Sequence, residues 1–410
     1  MSEATNHTPL LLFEALAPFR FRQPDATPAA EQKGRAGARY LTSSTPFVNQ
    51  IVLREPMRFR VLAERAQISC LPRADWAITA FEGRSVLFLL PSQMLGSNVA
   101  TMLFIDAFIA GKRPKRVGAF CARSSTDIYL RDRRITTYPL WLPEAELADW
   151  DVVIDLGHLE SRRDIDLWPV EMEGELNEAF GIPATTARYP SEARAVAKRA
   201  RLSFGILPLA SSPLRTLPPP VTLALAEALA PLGEVTISLN RLQRQGQLQA
   251  EALRAKLPKR VRIIDGFATI GELTRAIERF DYGIYADSGP AHMTKLCAAP
   301  GTAIYAPAPG EVLQGRFRNL ALYQVPFQGP HCATPCGLAK LRKARDGRIG
   351  CMGSLGLPLE ELPDLPGTRD RAVVEKLHDQ PVPCLATLAA NPKPLVDFVL
   401  ADLKQRGVSG

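Results

Sequence analysis

Ala286-Asp287-Ser288-Gly289-Pro290-Ala291-His292 follows the mostly apolar run 280–285 and joins a strand end to a helix start. Such a junction suits a phosphate. Glycine lets the backbone approach a ligand, proline pre-sets the first helical φ, and Asp or Ser can cap exposed amides. Free N–H groups and the helix dipole then favour an anion. On residue types alone the stretch is equally an ordinary capped turn, because short motifs recur by chance. A second group with chemistry is Cys332-x3-Cys336, then Cys351 after 14 intervening residues, then Cys384. Four thiolates can close a tetrahedral metal site, structural because no position stays open; the alternative is buried or simply reduced cysteines. Lys340, Arg342, Lys343 and Arg345 between them would offset the charge of such a centre. Cys70, Cys121 and Cys297 read as small core residues.

These groups need elements to position them. From Ser85 onward strands and helices alternate, with strands predicted over 86–90, 116–120 and 152–156 and a helix over 98–110. A second alternating run starts near residue 203. Its strands are predicted over 204–207, 234–239, 261–264, 282–285 and 302–305, and its helices over 220–230, 247–257, 270–279, 291–298 and 394–404. Continuous apolar strands imply burial on both faces, hence parallel sheets covered by helices. Two doubly wound halves place ligands at the carboxyl ends of the strands and in a cleft between domains. Ahead of them, residues 1 to about 45 read as irregular, with a Pro/Ala/Gly/Gln-rich stretch over 23–39. Segments 47–53, 59–62 and 76–81 read as short strands of a small β-rich appendage. The expected division is an arm and appendage over 1–83, Rossmann-like domains over 84–200 and 201–392, and a C-terminal helix in 393–410. The second domain carries a cysteine-rich insert at 329–384.

The 410 residues, 46% hydrophobic and 22% charged, allow about two domains with sizeable cores. No uninterrupted apolar run reaches the ~18 residues of a membrane span. Met1-Ser2-Glu3-Ala4-Thr5-Asn6-His7 lacks a basic region, and Leu10 to Phe13 is too short for a signal-peptide core. Seven cysteines, an odd number, argue against a disulfide framework. The expectation is a cytoplasmic protein, with the inner face of the membrane as one place for it to work. A net charge of +8 and pI of about 9.2 point to anionic partners: a phosphorylated small molecule or glycolipid, phospholipid headgroups, or nucleic acid. Basic residues cluster at 111–116, 188–201, 256–262 and 340–348. No zinc-finger, RNA-recognition or helix-turn-helix signature accompanies them and aromatics are only 7%, so nucleic acid is the weaker reading.

Asp287-Ser288-Gly289-Pro290-Ala291-His292, followed by a helix, the strand residues Ala303-Ile304-Tyr305 and Pro307, resembles the signature of the family-9 glycosyltransferases, the heptosyltransferase group that uses ADP-heptose. Ile206-Leu207-Pro208-Leu209-Ala210-Ser211-Ser212-Pro213-Leu214-Arg215-Thr216-Leu217-Pro218 is similar to that family's small-residue, Ser/Thr and Lys segment at the start of the C-terminal domain. Asp151-Val152-Val153-Ile154-Asp155-Leu156-Gly157-His158, with Ser161-Arg162, resembles its acceptor-side strand and loop. The resemblance runs from about residue 85 to 400 in the expected order. It implies the α/β GT-B fold: two Rossmann-like domains facing across a cleft, here with the N-terminal β-rich appendage. Residues 84–200 would then serve the acceptor and 201–392 the nucleotide sugar.

The resemblance also implies that Ser211, Ser212, Arg215, Asp287, Ser288, Gly289 and His292 surround the nucleotide diphosphate and the donor sugar. Arg215 stands where the family mostly has Lys, and a guanidinium fork is not equivalent to a point charge. The branch that transfers heptose to autotransporter proteins is similar in having an N-terminal extension and a cysteine-bound iron in a finger-like insert. On that likeness Cys332, Cys336, Cys351 and Cys384 would hold a structural iron or zinc.

The implied reaction is glycosyl transfer with inversion, which asks for a general base and for stabilisation of the departing diphosphate. The family's Gly-Asp after the first buried strand corresponds here to Gly96-Ser97-Asn98, and Ser97 cannot accept a proton near neutral pH. Asp106, Asp155 or Glu160 would do that work, or the base is dispensable, or the activity is lost. Asn240-Arg241 stands where an adenosine-binding Glu is expected. The expected function is transfer of a sugar, heptose by the resemblance, from a nucleoside-diphosphate sugar to a hydroxyl of a cell-envelope glycan, glycolipid or protein, as in lipopolysaccharide biosynthesis. The alternative is a catalytically impaired GT-B protein that binds nucleotide sugar or acts as a scaffold. Expected partners are the nucleotide sugar, that acceptor, an anionic membrane surface and a second copy in a homo-oligomer.

Overall fold

A computed structural model describes residues 10–21, 32–42, 52–90, 94–121, 123–139, 141–157, 171–183, 189–196, 201–241, 243–338, 347–356 and 371–408. The chain divides into two compact units. One comprises Met1–Arg163, Met172–Arg188 and Ala268–Gly271; the other comprises Asp164–Glu171, Tyr189–Phe267 and Glu272–Gly410.

In the first unit, β1 (Leu10–Ala15), β4 (Arg39–Thr42), β5 (Phe59–Ala66) and β9 (Trp141–Pro143) form an antiparallel sheet ordered β5-β1-β4-β9. β2 (Phe19–Phe21) pairs with β3 (Gln32–Gly34). The stretch read as irregular therefore carries four strands, and the appendage draws its last strand from residues 141–143. The reason is burial on both faces. Phe13 packs among Phe19, Tyr40, Phe59 and Trp141, while Leu10 and Leu41 join a second cluster with Leu87, Leu89 and Phe120. A strand buried on both faces shows no local alternation of apolar and polar residues. Of the expected appendage strands, 59–62 lies inside β5, and 47–51 falls outside the described residues, with 52–54 a helical turn. Segment 76–81 is not a strand. Trp76 follows a 3₁₀ turn at Arg73–Asp75, donates from Nε1 to the Leu71 carbonyl at 3.0 Å and stacks on Phe180 at 4.7 Å. Its apolar residues serve a turn rather than a ladder, and Ile78 is 81% exposed.

β6 (Ser85–Leu90), β7 (Arg116–Cys121), β8 (Ile135–Tyr138) and β10 (Val152–Asp155) form the unit's parallel sheet, ordered β10-β6-β7-β8. All of β6 is buried, as the continuous apolar run predicts. α1 (Leu95–Lys112) follows it, with α2 (Met172–Ala179) packed alongside. Phe88, Phe104, Phe108 and Phe180 interlock at ring-centroid separations of 4.8–6.2 Å.

The second unit is built on β11 (Leu202–Leu207), β12 (Gly233–Ser238), β13 (Val261–Ile264), β14 (Tyr282–Ala286), β15 (Gly301–Tyr305) and β16 (Leu320–Gln324). All pairs are parallel and the order is β13-β12-β11-β14-β15-β16. The chain walks outward from β11 to β13, then returns to lay β14 on the other side of β11. Between β11 and β14 the order reverses, and the crevice at their carboxyl ends is where such sheets bind ligands. The helices are α3 (Pro219–Leu229), α4 (Arg244–Arg254), α5 (Ile270–Arg279), α6 (Gly289–Met293), α7 (Gly310–Gln314), α8 (Gly350–Ser354), α9 (Arg371–Asp379), α10 (Pro383–Ala390) and α11 (Lys393–Gln405). α11 is pinned by Tyr282, whose hydroxyl sits 2.6 Å from Asp402 and 2.6 Å from the Thr302 hydroxyl.

Across the reversal, Gly205 pairs with Gly283 and Gly283 with Gly301. This row of missing side chains is filled by rings: a Cβ on Gly283 would lie 2.0 Å from Tyr285 Oη, and one on Gly205 2.4 Å from the Phe280 ring. Gly283→Ala is expected to lower stability by about 1–3 kcal/mol through overpacking, read as an earlier urea midpoint at unchanged slope. Among the described residues no helix is long and apolar enough to cross a membrane.

Candidate functional site

β11 delivers the segment Pro208 to Thr216 to the reversal point. Ser212 caps the 3₁₀ turn Pro213–Arg215, its Oγ accepting from Leu214 N at 3.3 Å, so this hydroxyl is engaged by its own loop. Thr216 holds the loop closed: its Oγ1 accepts from Ala210 N at 3.0 Å and donates to the Ser212 carbonyl at 3.3 Å. Gln245, in the first turn of α4, donates to the same Thr216 oxygen. Neither Thr216 nor Gln245 stood out in the sequence, because a loop clamp made of ordinary polar residues has no motif.

From β14 the chain supplies Asp287. Arg215 bridges the two loops, with Nη1 3.4 Å from Asp287 Oδ1 and Nη2 donating to Ser211 Oγ at 2.9 Å. Three predicted residues from segments 72 positions apart thus meet. Asp287 is buried and Arg215 about a quarter exposed. Burial pushes the Asp287 carboxyl above the usual carboxylate range, and the Arg215 charge pulls it back. Two buried atoms of the pair, Asp287 Oδ2 and Arg215 Nε, have no hydrogen-bond partner among the described residues.

Ser288 occupies the cap position before α6, but its Oγ donates to the Ala286 carbonyl at 3.1 Å and caps no amide. Gly289 and His292 are half-buried on α6. The helix expected over 291–298 is a five-residue α-helix continued by a 3₁₀ turn at Thr294–Leu296, with a backbone break at Ala298, where φ is 49°. So short a helix gives a weak dipole, and the positive charge here comes from Arg215 instead. Behind it Lys295 is buried, donating from Nζ to the Leu313 carbonyl at 2.8 Å. Arg241 is taken up in an ion pair with Asp265 at the carboxyl ends of β12 and β13.

In the first unit, Ser97 lies in the first turn of α1 and Asp155 ends β10, next to β6 through the pairing Asp155↔Leu89. Both are buried near the carboxyl edge of the sheet. Asp155 Oδ1 accepts from Gly157 N at 2.8 Å, and the Cys70 thiol beside it is pushed up to about 12, first by burial and then by the Asp155 charge. Asp106 sits elsewhere. It lies eleven residues into α1, about 16 Å along the axis, and is ion-paired at 3.1 Å to Arg134, which also grips Asp132. His158, Glu160, Ser161 and Arg162 lie outside the described residues.

All four predicted metal cysteines are free thiols in the second unit. Cys336 Sγ accepts from Leu338 N at 3.4 Å, Cys351 lies on α8 and Cys384 on α10. Burial raises all four; Cys332, Cys351 and Cys384 also feel the charge of other cysteines in the set, whereas the Arg348 charge pulls Cys336 down, and Cys384 is pushed up to about 12. Among the described residues, however, no three His, Cys, Asp or Glu side chains are grouped closely enough to hold a metal ion. Lys340, Arg342, Lys343 and Arg345 lie outside the described residues. Cys121 is buried in β7, and Cys70 and Cys297 are half-buried.

No protein-family model matches the chain, and no curated protein matches its sequence. Among solved structures it is similar to the iron-containing dodecameric glycosyltransferase TibC from enterotoxigenic E. coli H10407, at 13% identity over 80% of this chain and 82% of that one, with TM-score 0.50. It is also similar to a glycosyl transferase family 9 structure from Veillonella parvula, at 12% identity over 60% of this chain and 87% of that one, with TM-score 0.47. A third similar structure is the E. coli ADP-heptose lps heptosyltransferase II, at 12% identity over 74% of this chain and 99% of that one, with TM-score 0.45. At such identities the likeness is one of fold: the chain has the GT-B-like α/β fold of glycosyltransferase structures, family-9 members among its structural neighbours.

Proposed function

We propose that this chain is an inverting glycosyltransferase that takes a sugar from a nucleoside-diphosphate donor, ADP-heptose by family resemblance, and passes it to a hydroxyl of a cell-envelope glycan or protein. The observation that carries the reading is the Ser211–Arg215–Asp287 cluster at the carboxyl ends of β11 and β14. A buried N–H without an acceptor costs about 1–3 kcal/mol, and a diphosphate oxygen is the acceptor that Arg215 Nε lacks. Asp287 would hold the guanidinium in place while its remaining N–H groups meet the diphosphate, with Ser288, Gly289 and His292 lining the sugar side.

Asp155 is the carboxylate we assign as base, because it ends a strand of the first unit's parallel sheet while Asp106 is consumed by Arg134. In the reaction the acceptor oxygen bonds to the anomeric carbon and its proton passes to Asp155. The bond from that carbon to the diphosphate oxygen breaks, and the nucleoside diphosphate leaves with the electron pair. ADP release on mixing protein, ADP-heptose and candidate acceptors supports transfer. Tight ADP-heptose binding without release under every acceptor tried would leave a binding protein instead.

We further propose that Cys332, Cys336, Cys351 and Cys384 hold a structural iron or zinc. Support comes from the donor chemistry of four thiols, three of which feel the charge of others in the set, from the Leu338 N–H directed at Cys336, and from the iron-containing TibC as a fold relative. Metal uptake would have to draw the thiols together and deprotonate them. Elemental analysis of purified protein is expected to give about one metal per chain, lost in Cys332→Ser/Cys336→Ser; no metal, or metal kept by that variant, ends the proposal.

A further inference from the structure

Two of the basic runs legible in the sequence, 188–201 and 256–262, have no part in the cluster at the carboxyl ends of the strands. The topology of the second unit brings their ends together at the opposite edge of its sheet. Arg201 leads into β11, Gly233, Glu234 and Val235 open β12, and Lys259 and Arg260 lead into Val261 and Arg262 of β13. Together with Pro231 and Leu232 these residues line a recess of about 430 Å³. Four cationic side chains face a single carboxylate, Glu234.

The recess has fixed walls. Gly233 allows β12 to start against β11, where a Cβ would lie 2.1 Å from the Leu202 carbonyl oxygen. Arg262 is oriented across the sheet by donating from Nε to Thr236 Oγ1 at 2.9 Å, and Thr236 is itself buried. Among the described residues no ion pair engages Arg201, Lys259 or Arg260, so their charges are available to a ligand. Like charges around a concave wall concentrate the field and raise the local density of anions.

We propose that this recess is a second anion site, for a phosphate group carried by something other than the sugar donor. The source is either an anionic phospholipid headgroup or a free phosphorylated solute. β11 runs between the recess and the Ser211 loop, and its six residues span about 20 Å at roughly 3.3 Å each. Both sites can therefore be filled at once, and the recess binds whether or not the chain transfers sugar.

The test uses the full-length protein as wild type, Lys259→Ala/Arg260→Ala and Glu234→Gln, all at exposed positions. Cosedimentation is measured with vesicles of phosphatidylcholine alone and of phosphatidylcholine mixed with phosphatidylglycerol. Inorganic pyrophosphate is titrated in parallel on an Arg215→Ala background, which weakens the response of the donor cluster, so that the change between that background and the same background carrying the double variant reports the recess. For a lipid source, binding to the phosphatidylglycerol vesicles falls roughly 25-fold in the double variant, two basic residues at about fivefold each. It tightens in Glu234→Gln and weakens with salt. For a solute source, pyrophosphate shows that same pattern and the vesicles do not bind. The proposal is overturned if neither probe responds to the double variant, or if only RNA retention does.

Discussion

Arg215→Ala is expected to weaken ADP binding by at least roughly tenfold and to cost the protein about 2–3 kcal/mol of stability. Removing one partner of a buried ion pair costs about 3–5 kcal/mol in full burial; the lower figure reflects a guanidinium that is about a quarter exposed beside a carboxylate that is 3% exposed. The sign of the pH dependence follows from Asp287. Its folded value is raised above the unfolded one by burial, so its charged form opposes folding, and that opposition fades as pH falls through the folded value. Arg215 counters the rise, and without it the folded value climbs further. The variant's deficit should therefore be largest near neutral pH and shrink on acidification. Urea unfolding at pH 7 and pH 5, with ADP titration calorimetry, measures both effects. A variant as stable as wild type and equally able to bind ADP would make the pair incidental.

Asp155→Asn should leave ADP affinity within about twofold and reduce the rate of sugar transfer by roughly 10²–10⁴, the usual contribution of a positioned general base. The amide oxygen can still accept from Gly157 N, so the turn after β10 keeps its hydrogen bond and the fold is expected to survive. Single-turnover transfer with a saturating donor separates the chemical step from binding. If turnover persists within a factor of three, Asp155 is not the base.

The doubly wound second unit was legible in the sequence because its central strands are apolar on both faces: 204–207, 282–285 and 302–305 all fall within buried strands. β16 was missed because it is an edge strand with half-buried residues and little contrast with a loop. β1 and β4 were missed for a different reason. β1 pairs with β5 and β4 with β9, from 44 to 103 residues away, and no local pattern carries that information. Trp76 and Phe81 misled because an apolar cluster around a 3₁₀ turn has the composition of a strand. At the site, the types of Ser211, Arg215 and Asp287 were readable, whereas their meeting was not, since it follows from the laying of β14 against β11. The spending of Ser212 on its own cap and the capture of Asp106 by Arg134 are likewise outcomes of packing.

We propose that the loops after β11 and β14 form a nucleoside-diphosphate site organised by Arg215. Calorimetric titration of ADP into the full-length protein tests it most directly. Saturable binding at micromolar ADP is expected, retained by Asp155→Asn and weakened by Arg215→Ala. The absence of saturable binding up to millimolar ADP, or binding indifferent to Arg215, would contradict it.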